Sequence, residues 1–176
     1  MQLFAPHFSF PKRIAYLAVG IGVFLAAYYV GASIPMTEDD ANELATQFQE
    51  QVQDIDMAGI FINNAKASLG MFVPGFGAGL GIYTAVSTGM VFNAFAISYP
   101  QELGGMSPLA VLATPFGALE IFAYGLAMSR SGMLVYQLAK RVPWREYALP
   151  TAIEVGIVIV VLIIGAASEF QIIAEP

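Results

Sequence analysis

Six polar or charged residues interrupt the long apolar stretches of this chain, and such side chains are costly in hydrocarbon. They are three amides, one amine and two carboxylates: Asn63, Asn64, Lys66, Asn93, Glu120 and Glu154. An amine and a carboxylate inside one helical bundle predict an ion pair, so we expect Lys66 to pair with Glu120 or Glu154. This polar membrane core could serve a proton or substrate path, or it could simply hold helices together through hydrogen bonds.

The sequence lacks the patterns of common catalytic and metal sites. It contains no HExxH or GxSxG motif, no Cys and a single His, His7, so thiolate, zinc, copper and iron–sulfur sites lack their usual ligands. The glycine-rich segment 74–81 has neither the preceding strand nor the following Lys of a phosphate loop, and it predicts a tight hairpin instead. A pairing of Glu120 with Glu154 is the one arrangement suited to acid–base work. We therefore expect no enzyme activity, no metal and no cofactor.

Composition indicates that these residues lie in a membrane protein. Apolar residues make up 57% of the 176 residues, whereas charged residues make up 11%. We predict an all-α fold: one membrane domain over 1–176, a helical bundle of about five transmembrane helices with a short outer amphipathic helix. The first apolar run is too long for a secretory signal peptide, which is the competing interpretation. The predicted spans are about 14–34, 58–74, 80–98, 109–131 and 148–168, of which the second is short and contains Lys66.

The segment 36–57 breaks the hydrophobic pattern and must lie in water. It carries seven acidic residues and no Lys or Arg. Thr37 followed by three acids is typical of a helix start, because a capping oxygen and negative charge both stabilise the first turn. Apolar residues then recur at helical spacing at Ala41, Leu44, Ala45, Phe48 and Val52. We predict an amphipathic helix over the outer face, with a solvated acidic linker as the alternative.

Basic residues orient the predicted bundle. In a five-span arrangement one side receives nearly all of them, and the positive-inside rule makes that side cytoplasmic. The N-terminus is then cytoplasmic, while the segment 36–57 and the C-terminus lie outside. We expect Arg130 to be an interfacial anchor, and the acidic exterior argues against nucleic-acid binding. The residues assigned to the cytoplasmic side are Lys12, Arg13, Lys140, Arg141 and Arg145.

Two stretches of the chain, residues 61–65 with the later Asn93 and residues 114–120, resemble the stage II sporulation protein M family of small polytopic membrane proteins. The first is Phe61-Ile62-Asn63-Asn64-Ala65 with the later Asn93, and the second is the segment 114–120, Thr-Pro-Phe-Gly-Ala-Leu-Glu. Together they extend over roughly 60–130. Phe116 stands where the family commonly has His, and Ala94 stands where Gly follows Asn. The matching positions are Asn63, Asn64, Asn93, Pro115, Gly117 and Glu120.

The resemblance implies a multi-helical membrane fold and, for the sporulation members, a scaffold for an envelope-remodelling machine whose hydrolytic activity lies in partner proteins. We therefore expect a non-enzymatic membrane subunit that contacts lipid and assembles with other integral membrane proteins in a hetero-oligomer. One alternative is a small transporter or channel whose polar path uses Lys66, Glu120 and Glu154. Another is an accessory subunit of a larger membrane enzyme complex.

Overall fold

The computed structural model describes residues 10–53, 55–100 and 107–174, with side chains up to residue 171. Within these ranges the regular structure is entirely helical, as predicted. His7 and the acids Asp54, Glu102 and Glu175 lie outside the described residues. The helices are α1 (Phe10–Ala32), α2 (Glu38–Val52), α3 (Met57–Gly70), α4 (Phe76–Ser98), a 3₁₀ helix (Pro108–Ala113), α5 (Pro115–Ala139) and α6 (Trp144–Ala174).

Side-chain caps define the starts of α2 and α3. The Thr37 side chain accepts a hydrogen bond from the Asp40 amide at 3.2 Å, and the acids of the following turn favour the positive end of the α2 dipole. Asp56 accepts from the Gly59 amide at 2.7 Å and so caps α3. These caps satisfy amides that have no partner within their own helix.

The predicted fourth span, 109–131, is not one continuous helix. Thr114 is extended, with φ −71° and ψ 154°, because it precedes Pro115 and proline disfavours a helical residue before it. A 3₁₀ helix therefore ends before Thr114, and α5 begins with Pro115 at its first turn. The Thr114 hydroxyl accepts from the Gly117 amide at 3.1 Å, and α5 then continues to Ala139, beyond the predicted end.

The predicted hairpin between α3 and α4 is shorter than expected. Its turn ends at Gly75, whose φ of 79° lies in the region that glycine adopts without a steric penalty. Gly77 already belongs to α4. The observed helix therefore begins at Phe76, whereas the third predicted span begins at about residue 80. A Cβ on Gly77 would overlap the Met71 carbonyl, which explains why the chain can fold back so closely here.

Contacts between distant residues order the helices. Arg13 contacts Ser129 and Tyr28 contacts Pro108, so α1 runs antiparallel to the chain from the 3₁₀ helix through α5. Arg130 contacts Glu154, which pairs α5 with α6 in the opposite direction.

Contacts of α4 complete the arrangement. Gly31 lies against Val86, and Asn93 bonds to the Ile34 carbonyl, so α1 and α4 are parallel. Consequently α1, α4 and α6 point one way, and α3 and α5 point the other way. The start of α1, the end of α5 and the start of α6 all meet at one end of the bundle.

Helix α5 is the central helix, and nine consecutive residues, Ala123 to Ser131, are buried. It approaches α1 closely, since a Cβ on Gly20 would overlap the Gly125 carbonyl oxygen. The helices α1 and α4 meet in the same way, because Gly31 faces the Val86 carbonyl and Gly89 faces that of Tyr28. Close packing of small residues is a principal source of helix association in lipid.

Helix α2 packs on the last turns of α4 at the opposite end from the basic residues. Ala41 and Ala45 are fully buried against Ala94, and the Phe48 and Phe95 rings meet edge to face at 5.8 Å. The acidic side chains of α2 remain exposed. The predicted amphipathic helix is therefore confirmed as a helix with one packed face.

Among the described residues, three helices are long and apolar enough to cross a membrane: α1, α4 and residues Trp144–Gln171 of α6. Helix α3 has 14 residues and is thus only about 21 Å long, against about 30 Å for a hydrocarbon core. Helix α5 is long, but Glu120 and Arg130 lower its apolar character. The all-helical, membrane-type fold is confirmed by these helices.

The glycine contact between α1 and α4 makes a first testable prediction. Gly31→Ala places a methyl group against the Val86 backbone, and we expect it to lower the free energy of unfolding by about 1–3 kcal/mol. The matched control is Gly22→Ala, because a Cβ there meets nothing within 4 Å. That control should leave stability unchanged or raise it by up to about 1 kcal/mol, since alanine favours helix. Unfolding in mixed detergent measures both, and equal effects would contradict the close-contact interpretation.

Candidate functional site: a buried Arg–Glu–Arg cluster

The Glu154 carboxylate of α6 lies between two guanidinium groups from two other helices. Arg13 of α1 donates from Nε to Oε1 at 2.6 Å and from Nη2 to Oε2 at 2.7 Å. Arg130 of α5 donates from Nε to Oε2 at 2.7 Å and from Nη2 to Oε1. Each guanidinium therefore binds the carboxylate in the two-pronged geometry that suits arginine. We call these three residues the Arg–Glu–Arg cluster.

The Arg–Glu–Arg cluster is almost completely removed from solvent. Arg13 is 4% exposed, Arg130 is 2% exposed and Glu154 is 7% exposed. Two positive charges face one negative charge, so the cluster carries one surplus positive charge. In a low-dielectric interior each charge remains stable only when its hydrogen-bonding capacity is used.

Helix α5 supplies further acceptors to Arg13. Nη1 donates to the Ser129 hydroxyl at 2.9 Å, and Nη2 lies 3.3 Å from the Leu126 carbonyl oxygen. The Ser129 hydroxyl in turn donates to the same carbonyl at 2.9 Å. The cluster thus joins the first helix of the chain to both helices of the last hairpin.

One prediction about these arginines is wrong. Arg130 is predicted to be an interfacial anchor, but it is buried. Arg13, which the charge pattern assigns to the cytoplasmic side, is also buried, inside the bundle near its basic end. The physical reason is Glu154, a carboxylate three turns into α6 that requires donors at its own depth. A signal was present in the sequence, because Arg130 lies between Ser129 and Ser131, small residues that allow a second helix to approach.

Asn64 and Glu120 form a second polar contact, between α3 and α5. The Asn64 Nδ2 donates to Glu120 Oε1 at 2.5 Å. Glu169 of α6 lies close enough to interact electrostatically with Glu120. The contact therefore lies where α3, α5 and α6 meet, in the half of the bundle nearer to α2.

Asn93 uses its side chain to end α1. Its Nδ2 donates to the Ile34 carbonyl at 2.8 Å, just beyond the last residue of that helix. This gives a partner to a backbone carbonyl that follows α1 and lies outside its own hydrogen bonds. Asn93 is therefore a packing residue between α1 and α4.

The structure does not place Asn63 and Lys66 inside the bundle. Both side chains are exposed on α3. Among the described residues no acid forms an ion pair with Lys66. Glu154 pairs with Arg13 and Arg130, and Glu120 accepts from Asn64. The predicted pairing of Lys66 with Glu120 or Glu154 is therefore wrong. The rotation of the helix explains why Lys66 is exposed: Asn64 faces α5, and Lys66, two residues later, points to the opposite side of α3.

Glu120 and Glu154 are also separate from each other. Glu154 lies level with Arg130, and ten residues of α5 from Glu120 to Arg130 correspond to about 15 Å along the axis. An acid–base pair or a continuous path through Lys66, Glu120 and Glu154 would require these groups to meet. Within the described ranges no three His, Cys, Asp or Glu residues are grouped to hold a metal ion.

The residues of the 114–120 motif build the start of α5. Pro115 occupies the first turn of the helix, and Gly117 lies so close to the Val111 carbonyl that a Cβ there would overlap it. Glu120 follows one turn later, with its side chain against Asn64. The motif thus connects the 3₁₀ helix, α5 and α3 at one point.

The Arg–Glu–Arg cluster yields a second testable prediction. Glu154→Gln leaves two buried guanidinium groups without their counter-charge, and we expect a loss of about 3–5 kcal/mol in the free energy of unfolding. The control is Glu50→Gln on the exposed face of α2, which should have almost no effect. Replacing all three residues by Met should recover much of the loss, because no buried charge remains. A triple variant less stable than Glu154→Gln would contradict this account.

Comparison with known proteins gives one family and no individual relative. No curated protein and no solved structure matches the chain significantly. The family model described as stage II sporulation protein M matches residues 15–169, from the first helix to the last. The match includes both resembling stretches and extends well beyond 60–130 on either side. The chain therefore belongs to the stage II sporulation protein M family.

Proposed function

We propose that this protein is a non-enzymatic integral membrane subunit that assembles with other membrane proteins and stabilises them. The observation that carries the proposal is that the buried Glu154 and the half-buried Glu120 both bond to side chains of other helices in the same bundle. Glu154 accepts four hydrogen bonds from two arginines, and Glu120 accepts one from Asn64. Groups held in this way fix the position of helices, which is what a scaffold requires.

One open, apolar cavity among the described residues also supports a role in contacts between surfaces. It has a volume of about 490 Å³ and lies between the start of α3 and the end of α6. Its lining is apolar except for Asp56, which already caps α3. A lining of this kind suits hydrocarbon chains or apolar side chains better than a reacting polar substrate.

We further propose five membrane crossings with a cytoplasmic N-terminus. The alternating directions of α1, α3, α4, α5 and α6 support this count. Four basic residues at one end, and the acidic helix α2 at the other, agree with the positive-inside rule. Helix α5 needs no long apolar stretch, since its neighbours cover its polar residues. The basic residues at that end are Lys12, Lys140, Arg141 and Arg145.

The proposed topology is testable because the chain contains no cysteine. We expect Glu50→Cys on α2 to react with a membrane-impermeant maleimide added outside intact cells. Lys140→Cys should react only after the membrane is permeabilised. The wild-type chain supplies the background, and Phe24→Cys, buried in the core, is a control for denaturation. If the cysteines at positions 50 and 140 both reacted from the same side, an even number of crossings would separate them, and the proposed three crossings by α3, α4 and α5 would be excluded.

Assembly with other membrane proteins is testable by purification from membranes in mild detergent. We expect the tagged chain to be recovered with at least one other membrane protein in a fixed ratio. Because the outer face of α2 is acidic, any contact made through it should weaken as salt rises. Glu154→Gln should reduce recovery of the partner in proportion to the loss of folded chain. Recovery of this chain alone, as a folded monomer, would contradict the proposal.

A further inference from the structure

One face of α3 combines exposed polar and apolar side chains within the proposed membrane region. Ile62 is 47% exposed and Leu69 is 42% exposed, and Asn63 and Lys66 are exposed between them. The spacing of three and four residues places all of them on one side of the helix. We call Ile62, Asn63, Lys66 and Leu69 the α3 face.

Lys66 lies deep relative to the end of the bundle at which α3 begins, whereas Gly70, the last residue of α3, is four residues or about 6 Å away in the other direction. Lys66 follows Asp56, the cap of α3, by ten residues, which corresponds to about 15 Å along the helix axis. Asn64 is level with Glu120, and Leu119 packs beside Gly165, so Lys66 also lies level with the apolar span of α6. Because a helical side chain leaves its helix toward the N-terminus, the stem of Lys66 is directed toward the Asp56 end, and it is too short to reach water across about 15 Å.

No group of the bundle compensates this ammonium ion. Within the described residues Lys66 has no ion-pair partner, and the side chain of Asn63 makes no hydrogen bond. The carboxylate at the same depth, Glu120, faces the opposite side of α3, where it accepts from Asn64. A cation and an amide facing hydrocarbon are both unfavourable, so this face requires a polar neighbour from outside the chain.

The neighbouring helix adds to this surface. Gly70 lies against Leu80, and the antiparallel register of the hairpin then brings Tyr83 of α4 level with residue 67. Tyr83 is 70% exposed. The hairpin of α3 and α4 therefore presents an ammonium, an amide and a phenol at one depth, with apolar residues above and below them.

We propose that the α3 face is the docking surface for a transmembrane helix of another membrane protein, and that this helix carries an Asp or Glu at the depth of Lys66. The inference rests on the proposed function as a membrane subunit and names the surface and chemistry of the contact. A carboxylate neutralises the ammonium, and Ile62 and Leu69 provide the apolar contacts on either side.

Other neighbours fit this face less well. Lipid phosphates at the membrane surface nearest to Asp56 lie about 15 Å from Lys66 by the same helical rise. A second copy of this chain would offer Glu120 at this depth, but that carboxylate is already engaged with Asn64. The α3 face matches instead a partner helix with an unpaired acid.

The test uses the full chain in its native membrane with a photo-reactive residue in place of Leu69. We expect an adduct to a different protein, at a helix segment with an Asp or Glu within one turn of the attachment point. Lys66→Met should lower the yield roughly tenfold, which corresponds to about 1.4 kcal/mol, while Lys66→Arg retains it. Lys140→Met, which removes a lysine at the end of the bundle, should have no effect. Thermal unfolding of each variant verifies that the exposed substitutions leave the fold intact.

A charge exchange makes the test specific. Lys66→Glu should abolish the adduct, and changing the identified acid of the partner to Lys should restore it. Three outcomes would overturn the inference: a yield that does not depend on Lys66, an adduct of twice the mass of this chain, or an adduct to lipid alone.

Val160 on α6, 57% exposed, is the second attachment position. A protein adduct only at Val160 would leave the subunit proposal standing without the α3 face, whereas the absence of protein adducts at both positions would count against both proposals.

Discussion

The burial of Glu154 is the constraint on which the arrangement of this bundle depends. A carboxylate removed from water needs positive donors at its own depth, and here Arg13 and Arg130 supply them from two other helices. Since the guanidinium groups bind in a planar, two-pronged geometry, they fix the rotation of each helix as well as its proximity. The glycine contacts of α5 with α1 then become possible, because Gly20 and Gly125 face each other only in that rotation.

The polar contacts divide the bundle into two levels with different strengths. The Arg–Glu–Arg cluster joins α1, α5 and α6 near the basic end, whereas Asn64 and Glu120 join α3 to α5 nearer to α2. The first contact is ionic and fully enclosed, and the second is a single hydrogen bond. The hairpin of α3 and α4 is thus held mainly by close packing of small residues such as Gly77 and Gly81. This is also the hairpin that leaves polar side chains on its outer surface.

The sequence predicted the positions of the helices better than the neighbours of the polar residues. Hydropathy and caps located the helices, including α2 and its packed alanines, because those signals are local. The signal at Thr114 and Pro115 was local too, yet the long apolar run concealed the break before α5. Local signals could not identify the partners of Glu154, because Arg13 lies 141 residues away in the sequence. Charge counting places it on the cytoplasmic side, and without the lateral order of the helices Lys66 is the natural partner of Glu154.

The distance in sequence between Arg13 and Glu154 has a consequence for biosynthesis. The first helix enters the membrane long before α6 exists, and 141 residues separate the two charges. At about 5–20 residues per second, synthesis of that interval takes about 7–28 s. Throughout this time Arg13 and then Arg130 are without their carboxylate. The last helix therefore completes the insertion of the first, and a chain that stops before α6 exposes two uncompensated arginines to membrane quality control.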